Sequence, residues 1–188
     1  MSESDWVELM ARRLRAATLS RNGRFIVETG LRLAYGHEIS EYDNGDQPVT
    51  RRTFFETDLA IVEHTRDGTS WPRVVVEGKI RTVSTHDAIT YSAKAGAHRA
   101  VHPYLRYGMM LGKRGNFPLP GRLYSHGANF DFMISFRGFR PNAVEFNRFI
   151  RLIRHEIQAS RTLQSILFES RKRNRDRYTV LHRKLEVW

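Results

Sequence analysis

The chain of 188 residues contains no cysteine. That absence excludes disulfides, cysteine-ligated zinc and a thiol nucleophile, and it permits an intracellular setting. No apolar run approaches the roughly 20 residues that span a bilayer, and the opening MSESDWVELMARR carries acids where a secretory leader would carry its apolar stretch. Repeats and low-complexity segments are missing too. Acidic residues are in short supply: 20 Asp and Glu stand against 31 Lys and Arg, a formal charge of +11. This imbalance points to a polyanionic partner such as nucleic acid more than to an acidic small molecule. Apolar residues make up 40% of the chain, enough for one globular domain with a substantial core.

The most informative stretch runs from Phe54 to Arg81, FFETDLAIVEHTRDGTSWPRVVVEGKIR. Two apolar runs flank Asp67-Gly68, the local pattern of a β-hairpin. With the turn centred there, facing residues have numbers summing to 135, which sets Asp58 opposite Glu77 and Glu56 opposite Lys79. Period-2 alternation puts all four on one face, with Leu59, Ile61, Val74 and Val76 on the other. Directly opposed carboxylates repel and need a cation between them, either Lys79 or a divalent metal. The alternative is the solvated face of an amphipathic hairpin. Against it, Ala60, Val62 and Val75 share the charged face and would be exposed with it.

A lone Asp within one strand followed by Glu-x-Lys at the end of the next resembles the PD-(D/E)XK nuclease superfamily, the restriction-endonuclease-like fold. Here the pattern reads Thr57-Asp58 and Glu77-Gly78-Lys79, with Thr57 in place of the nominal proline. The resemblance implies catalytic roles for Asp58, Glu77 and Lys79. Asp58 and Glu77 would bind Mg²⁺, or Mn²⁺ in its place, and Lys79 would orient or deprotonate the attacking water and steady the developing negative charge. It also implies an α/β domain, a mixed central β-sheet flanked by helices, with a catalytic core over about residues 23–136; the residues beyond, over about 141–188, read by their own period and charge as a basic helical C-terminal part. In that family a glutamate on the helix before the first strand often joins the metal, and Glu28 matches the place by order; a surface glutamate is the alternative.

Along the chain, Ser4 with Asp5 and Glu8 caps a helix whose apolar stripe is Trp6, Leu9, Met10 and Leu14. After a break at Ser20 to Gly23, Phe25, Ile26, Leu31 and Leu33 suggest a second helix containing Glu28. Tyr35 to Tyr42 reads as a strand and Asn44-Gly45 as a turn. Past the hairpin, Ser84 to Asp87 forms a capping box for a helix ending at His102-Pro103. His98 and His102 share an i,i+4 spacing but lack the glutamate of the HExxH zinc motif, so exposed or capping roles are expected. Tyr104 to Leu111 and Phe130 to Phe136 read as strands, with Asp131 a further acid in the second.

Between those strands lies the Gly- and Pro-rich GKRGNFPLPGRLYSHGAN, a long loop and the first candidate for DNA contact through Lys113, Arg114 and Arg122. Lys94 on the preceding helix is another. Asn142 and Glu145 open a further helix with an apolar face of Phe146, Phe149, Ile150, Ile153 and Ile157, running to Glu169 or breaking near Ser160. From Arg137 onward there are 13 basic and 5 acidic residues, so +8 of the +11 lies there. Arg171, Arg173 and Arg175 in RKRNRDR are therefore expected on phosphates, and Tyr178 to Trp188 is expected to dock as a strand or dimer contact. The expected protein is a Mg²⁺-dependent DNA endonuclease of restriction or defence, cytoplasmic and nucleoid-associated, with DNA and a second copy as partners and no membrane. A non-catalytic DNA-binding module, or a nuclease for RNA or repair and recombination intermediates, is the alternative.

Overall fold

Ser2, not Ser4, opens the first helix. Its hydroxyl accepts from the Asp5 N–H while the Asp5 carboxylate accepts from the Ser2 N–H, a reciprocal capping box that starts α1 (Glu3–Ala16). The computed structural model describes residues 1–17 and 24–169. Within them follow β1 (Phe25–Tyr42), β2 (Pro48–His64), β3 (Ser70–Ile80), α2 (Thr85–Val101), β4 (Arg106–Gly112), α3 (Gly121–His126), β5 (Phe132–Ser135) and α4 (Ala143–Gln164), which continues as one π-helical turn, Ser165–Glu169. Of the two extents expected for this helix, the run to Glu169 is the one that forms, without a break near Ser160. Among the described residues no helix is long and apolar enough to cross a membrane.

The strands form one mixed sheet in the order β1-β2-β3-β4-β5. The first three pair antiparallel through hairpins; β4 and β5 join parallel after the α2 and α3 crossovers. This is an α/β fold with helices on both faces of a mixed sheet. One face packs Leu59, Ile61, Val74 and Val76 against α1 and α4, with Trp6, Leu14, Phe149 and Ile153 fully buried. The other packs Ala60, Val62, Val75, Tyr107 and Met109 against α2 and α3. Each large aliphatic side chain so removed from water contributes about 1.5–3 kcal/mol. Both faces of the hairpin's inner part, Thr57 to Val62 against Arg73 to Gly78, are thus covered, so Glu77 does not lie on an open, wet sheet face, whereas Glu56 is exposed.

The expected second helix is instead the first half of β1, in register with β2 from Phe25↔Glu63 onward. Phe25, Ile26, Leu31 and Leu33 fit helical spacing, but Val27, Thr29, Leu31 and Leu33 fit period 2 equally well. Gly30, at φ +70, does not suit a helix, and the long pairing with β2 decides the matter. The outer half of the β1–β2 hairpin projects as a ribbon, exposed from His37 to Arg52. The long loop after β4 contains α3, which the Gly and Pro content concealed. The break at Ser20 to Gly23 and the expected docking of Tyr178 to Trp188 lie outside the described residues.

Candidate active site

The β2–β3 ladder runs Leu59↔Val76, Ala60↔Val75, Ile61↔Val74 and then slips by one residue to Val62↔Pro72 and His64↔Ser70. The inner register is the one that sums to 135, although the turn itself is offset and a bulge after Ile61 makes up the difference. Beyond Leu59 the strands part. Asp58 Oδ2 there accepts the Gly78 N–H at 2.8 Å, so a side chain takes the place of the next ladder bond. Gly78 has no room for more: a Cβ would lie 2.7 Å from Val7 Cγ2 on α1.

Glu77 sits on β3 opposite Met109 of β4 and is only 1% exposed. The Tyr107 hydroxyl donates to its Oε1, and the Lys94 ammonium of α2 lies 2.9 Å from the same oxygen. Lys94 also donates to the Glu56 carbonyl at 2.6 Å. Burial, helped by the nearby Asp58 charge, pushes the Glu77 carboxyl up to about 7 even though Lys94 and Tyr107 favour its ionised form.

Lys79 does not face Glu56. Its ammonium bonds Glu3 Oε1 of α1 at 2.9 Å and lies 5.1 Å from the Tyr91 ring centroid. Desolvation works against its charge, but the bonds to Glu3 and Tyr91 outweigh this and hold the amine above its ordinary range. The side chain is a firm cation. The expected Glu56–Lys79 pairing fails because the strands have separated before reaching it; Glu56 instead pairs across to Arg32 on β1.

Glu28 is half-buried on β1 opposite Ala60. Among the described residues no three His, Asp or Glu side chains come together as a metal-holding group, so Glu28 is not gathered with Asp58 and Glu77. The helix that precedes the first strand is α1, and its acid at the site is Glu3. A capping box read at Ser2 and Asp5 would have placed Glu3 in the first turn, but the partnership with Lys79 spans 76 residues and no local signal carries it.

Of the expected DNA contacts, Lys94 lies within the site, on Glu77. Lys113 and Arg114 line a groove just past the ends of β3 and β4 together with Arg81, Arg137 and Phe117. The Arg114 guanidinium is committed to the Arg81 and Pro118 carbonyls, so it braces the groove. Arg122 is exposed on α3. Arg171, Arg173 and Arg175 lie outside the described residues. Asp131 is a clip and not an open acid: it accepts from the Tyr107 N–H and pairs with Arg99 and Arg106. His98 is fully buried, contrary to expectation; its ring stacks on Tyr107 at 5.6 Å and its Nδ1 meets the Ala34 carbonyl. His102 caps α2, as anticipated.

No protein-family model matches the chain, and no curated protein matches it. Among solved structures, the chain is similar to one described as the crystal structure of the pre-specific restriction endonuclease BsaWI–DNA complex, with a TM-score of 0.44 and 10% sequence identity. The likeness covers 88% of this chain and 63% of that one, so this chain spans less than two thirds of the length of the protein it matches.

Proposed function

We propose that the chain is a Mg²⁺-dependent DNA endonuclease, with Asp58 and Glu77 as metal ligands and Lys79 as the catalytic cation. The observation that carries this reading is the carboxylate pair at the parting of β2 and β3: Asp58 is tied to the Gly78 N–H, and Glu77 is buried and pushed up to about 7 by burial and by the nearby Asp58 charge. Two carboxylates held close against their repulsion are a hard-oxygen donor set. Mg²⁺ takes one or two carboxylates and completes its shell with water and phosphate oxygens, so the residues fit the ion. Bound there, it would lower the pKa of a water and neutralise phosphoryl oxygens. Mn²⁺ suits the same donors.

The chain's own residues do the rest. Asp58, fixed by the Gly78 N–H, and Glu77, fixed by Tyr107 and Lys94, are positioned acceptors; a cation would compete with the Lys94 ammonium for Glu77 and favour its ionised form. Lys79, held protonated by Glu3 and Tyr91, serves as a charge stabiliser for the phosphate; acting as a base would first require release from Glu3. DNA is the polyanion proposed, with the basic groove past β3 and β4 alongside the site. Glu28 stays in this reading as a further acid on β1, opposite Ala60. The proposal extends to restriction or defence as the setting, cytoplasmic and nucleoid-associated, and to a homodimer that places two sites on two strands.

A second reading has its own support. Lys94 already neutralises one oxygen of Glu77, and a non-catalytic DNA-binding module could use that ammonium as the only cation the pair needs. Plasmid cleavage separates the two. Wild type in Mg²⁺ is expected to convert supercoiled DNA to linear and discrete fragments, with no product in EDTA or from folded Asp58→Ala and Lys79→Ala proteins. Nicked circles alone would remove the homodimer. Binding without cleavage of duplex, single-stranded or RNA substrates would leave the module reading.

A further inference from the structure

The loop after β4 is built to present one aromatic ring among cations. The Lys113, Arg114 and Gly115 N–H groups bond the Gly138, Phe136 and Arg137 carbonyls, and Phe117 N–H closes on the Arg114 carbonyl. Arg114 then ties the Arg81 carbonyl to that of Pro118. These bonds fix a groove of about 770 Å³, within the usual size of ligand sites, about 300–1,000 Å³. Phe117, one of its linings, is 74% exposed. No carboxylate lines the groove, and among the described residues none pairs with Arg81, Lys113 or Arg137, all exposed. Ile80 and Gly112 pair across β3 and β4 at its edge, so it begins two residues beyond Lys79.

A large apolar ring that is mostly exposed, on a loop tied down by backbone hydrogen bonds and lining one groove with Arg81, Lys113 and Arg137, has the makings of a base-stacking platform beside a phosphate track. We propose that this groove binds an unpaired nucleotide of the substrate strand, its base stacked on Phe117 and its flanking phosphates on Arg81, Lys113 and Arg137. The substrate class would then be DNA with an unpaired nucleotide next to the cut: an overhang, a gap, or a base turned out of the duplex. This inference rests on the nuclease reading for the word substrate, but the groove binds its ligand without any metal.

The test is binding in EDTA, by fluorescence anisotropy, of a short single strand and of the same sequence as a blunt duplex. RNA and DNA forms of the strand show which sugar the groove accepts. Wild type is expected to prefer the single strand. Phe117→Ala should weaken that binding about 5- to 150-fold, the range of one lost base stack, without changing its salt dependence. Phe117→Trp should restore it. Arg81→Ala should lower the slope of log affinity against log salt by about 1. 2-Aminopurine placed at successive positions should be quenched at one of them by wild type and at none by Phe117→Ala. Single-strand affinity within about two-fold of wild type in Phe117→Ala, or no quenched position in wild type, overturns the inference. The nuclease reading fails separately: a protein that stacks the strand and cuts nothing keeps this groove and loses that activity.

Discussion

Glu77 is the residue through which stability and function meet. Its carboxyl titrates at about 7 in the folded chain against an ordinary 4.5. A raised carboxyl binds its proton more tightly folded than unfolded, so its contribution is whole below about pH 4.5 and is lost as pH rises through about 7. The shift corresponds to roughly 3 kcal/mol. His98 acts in the opposite sense: burial lowers it to about 4, so its contribution is lost as pH falls from about 6.5 toward 4. Comparing wild type with Glu77→Gln cancels His98 and isolates the carboxyl. Urea unfolding in EDTA should show wild type losing stability relative to Glu77→Gln between about pH 5 and about pH 8, and Mg²⁺ should restore most of the loss at the higher pH. Curves that run parallel would mean that Glu77 is not strained by its surroundings, and the metal argument would weaken with it.

At the scale of elements, α1 locks the site. Trp6 is fully buried, bonds the Phe139 carbonyl, and lies against Gly112, where an added Cβ would come within 2.6 Å of the indole. Gly112→Ala is therefore expected to cost about 1–3 kcal/mol by overpacking. It should also reduce cleavage, because α1 carries Glu3 to Lys79. Gly121→Ala, where nothing lies within 4 Å of an added Cβ, should change stability by no more than about 0.5 kcal/mol. Thermal melts and plasmid assays on the two variants check this; equal effects would mean that α1 does not press on the sheet end. Elements that announce themselves locally were legible. Ser84 with Asp87 and Asn142 with Glu145 cap α2 and α4 as their spacing predicts, and the Asp67-Gly68 hairpin forms. The start of β1 was not, because its apolar residues satisfy two periods at once and its partner strand lies more than twenty residues on.

On the scale of the whole molecule, the same divide separates the site's core from its surroundings. That Asp58 and Glu77 are neighbours could be read because alternation and one hairpin bring the two carboxylates together; Lys79 turns to Glu3 on α1, and its place beside them belongs to the nuclease proposal. Glu3, Tyr107 and the role of Lys94 could not, because each reaches the site from another element across the sheet or a helix. Charge is the one whole-chain property visible from composition, and its distribution makes a prediction of its own. Residues 170–188 hold seven basic and two acidic side chains, among them Arg171, Arg173 and Arg175. If those three arginines meet phosphates, each should contribute about 0.9 to the slope of log affinity against log salt for duplex DNA. A chain ending at Glu169 should then bind duplex more weakly at low salt, with a slope shallower by roughly 3. Titrations over a range of salt concentrations measure both. An unchanged slope would move the electrostatic footprint onto Arg81, Lys113 and Arg137, and the groove past β3 and β4 would become the main track for the backbone.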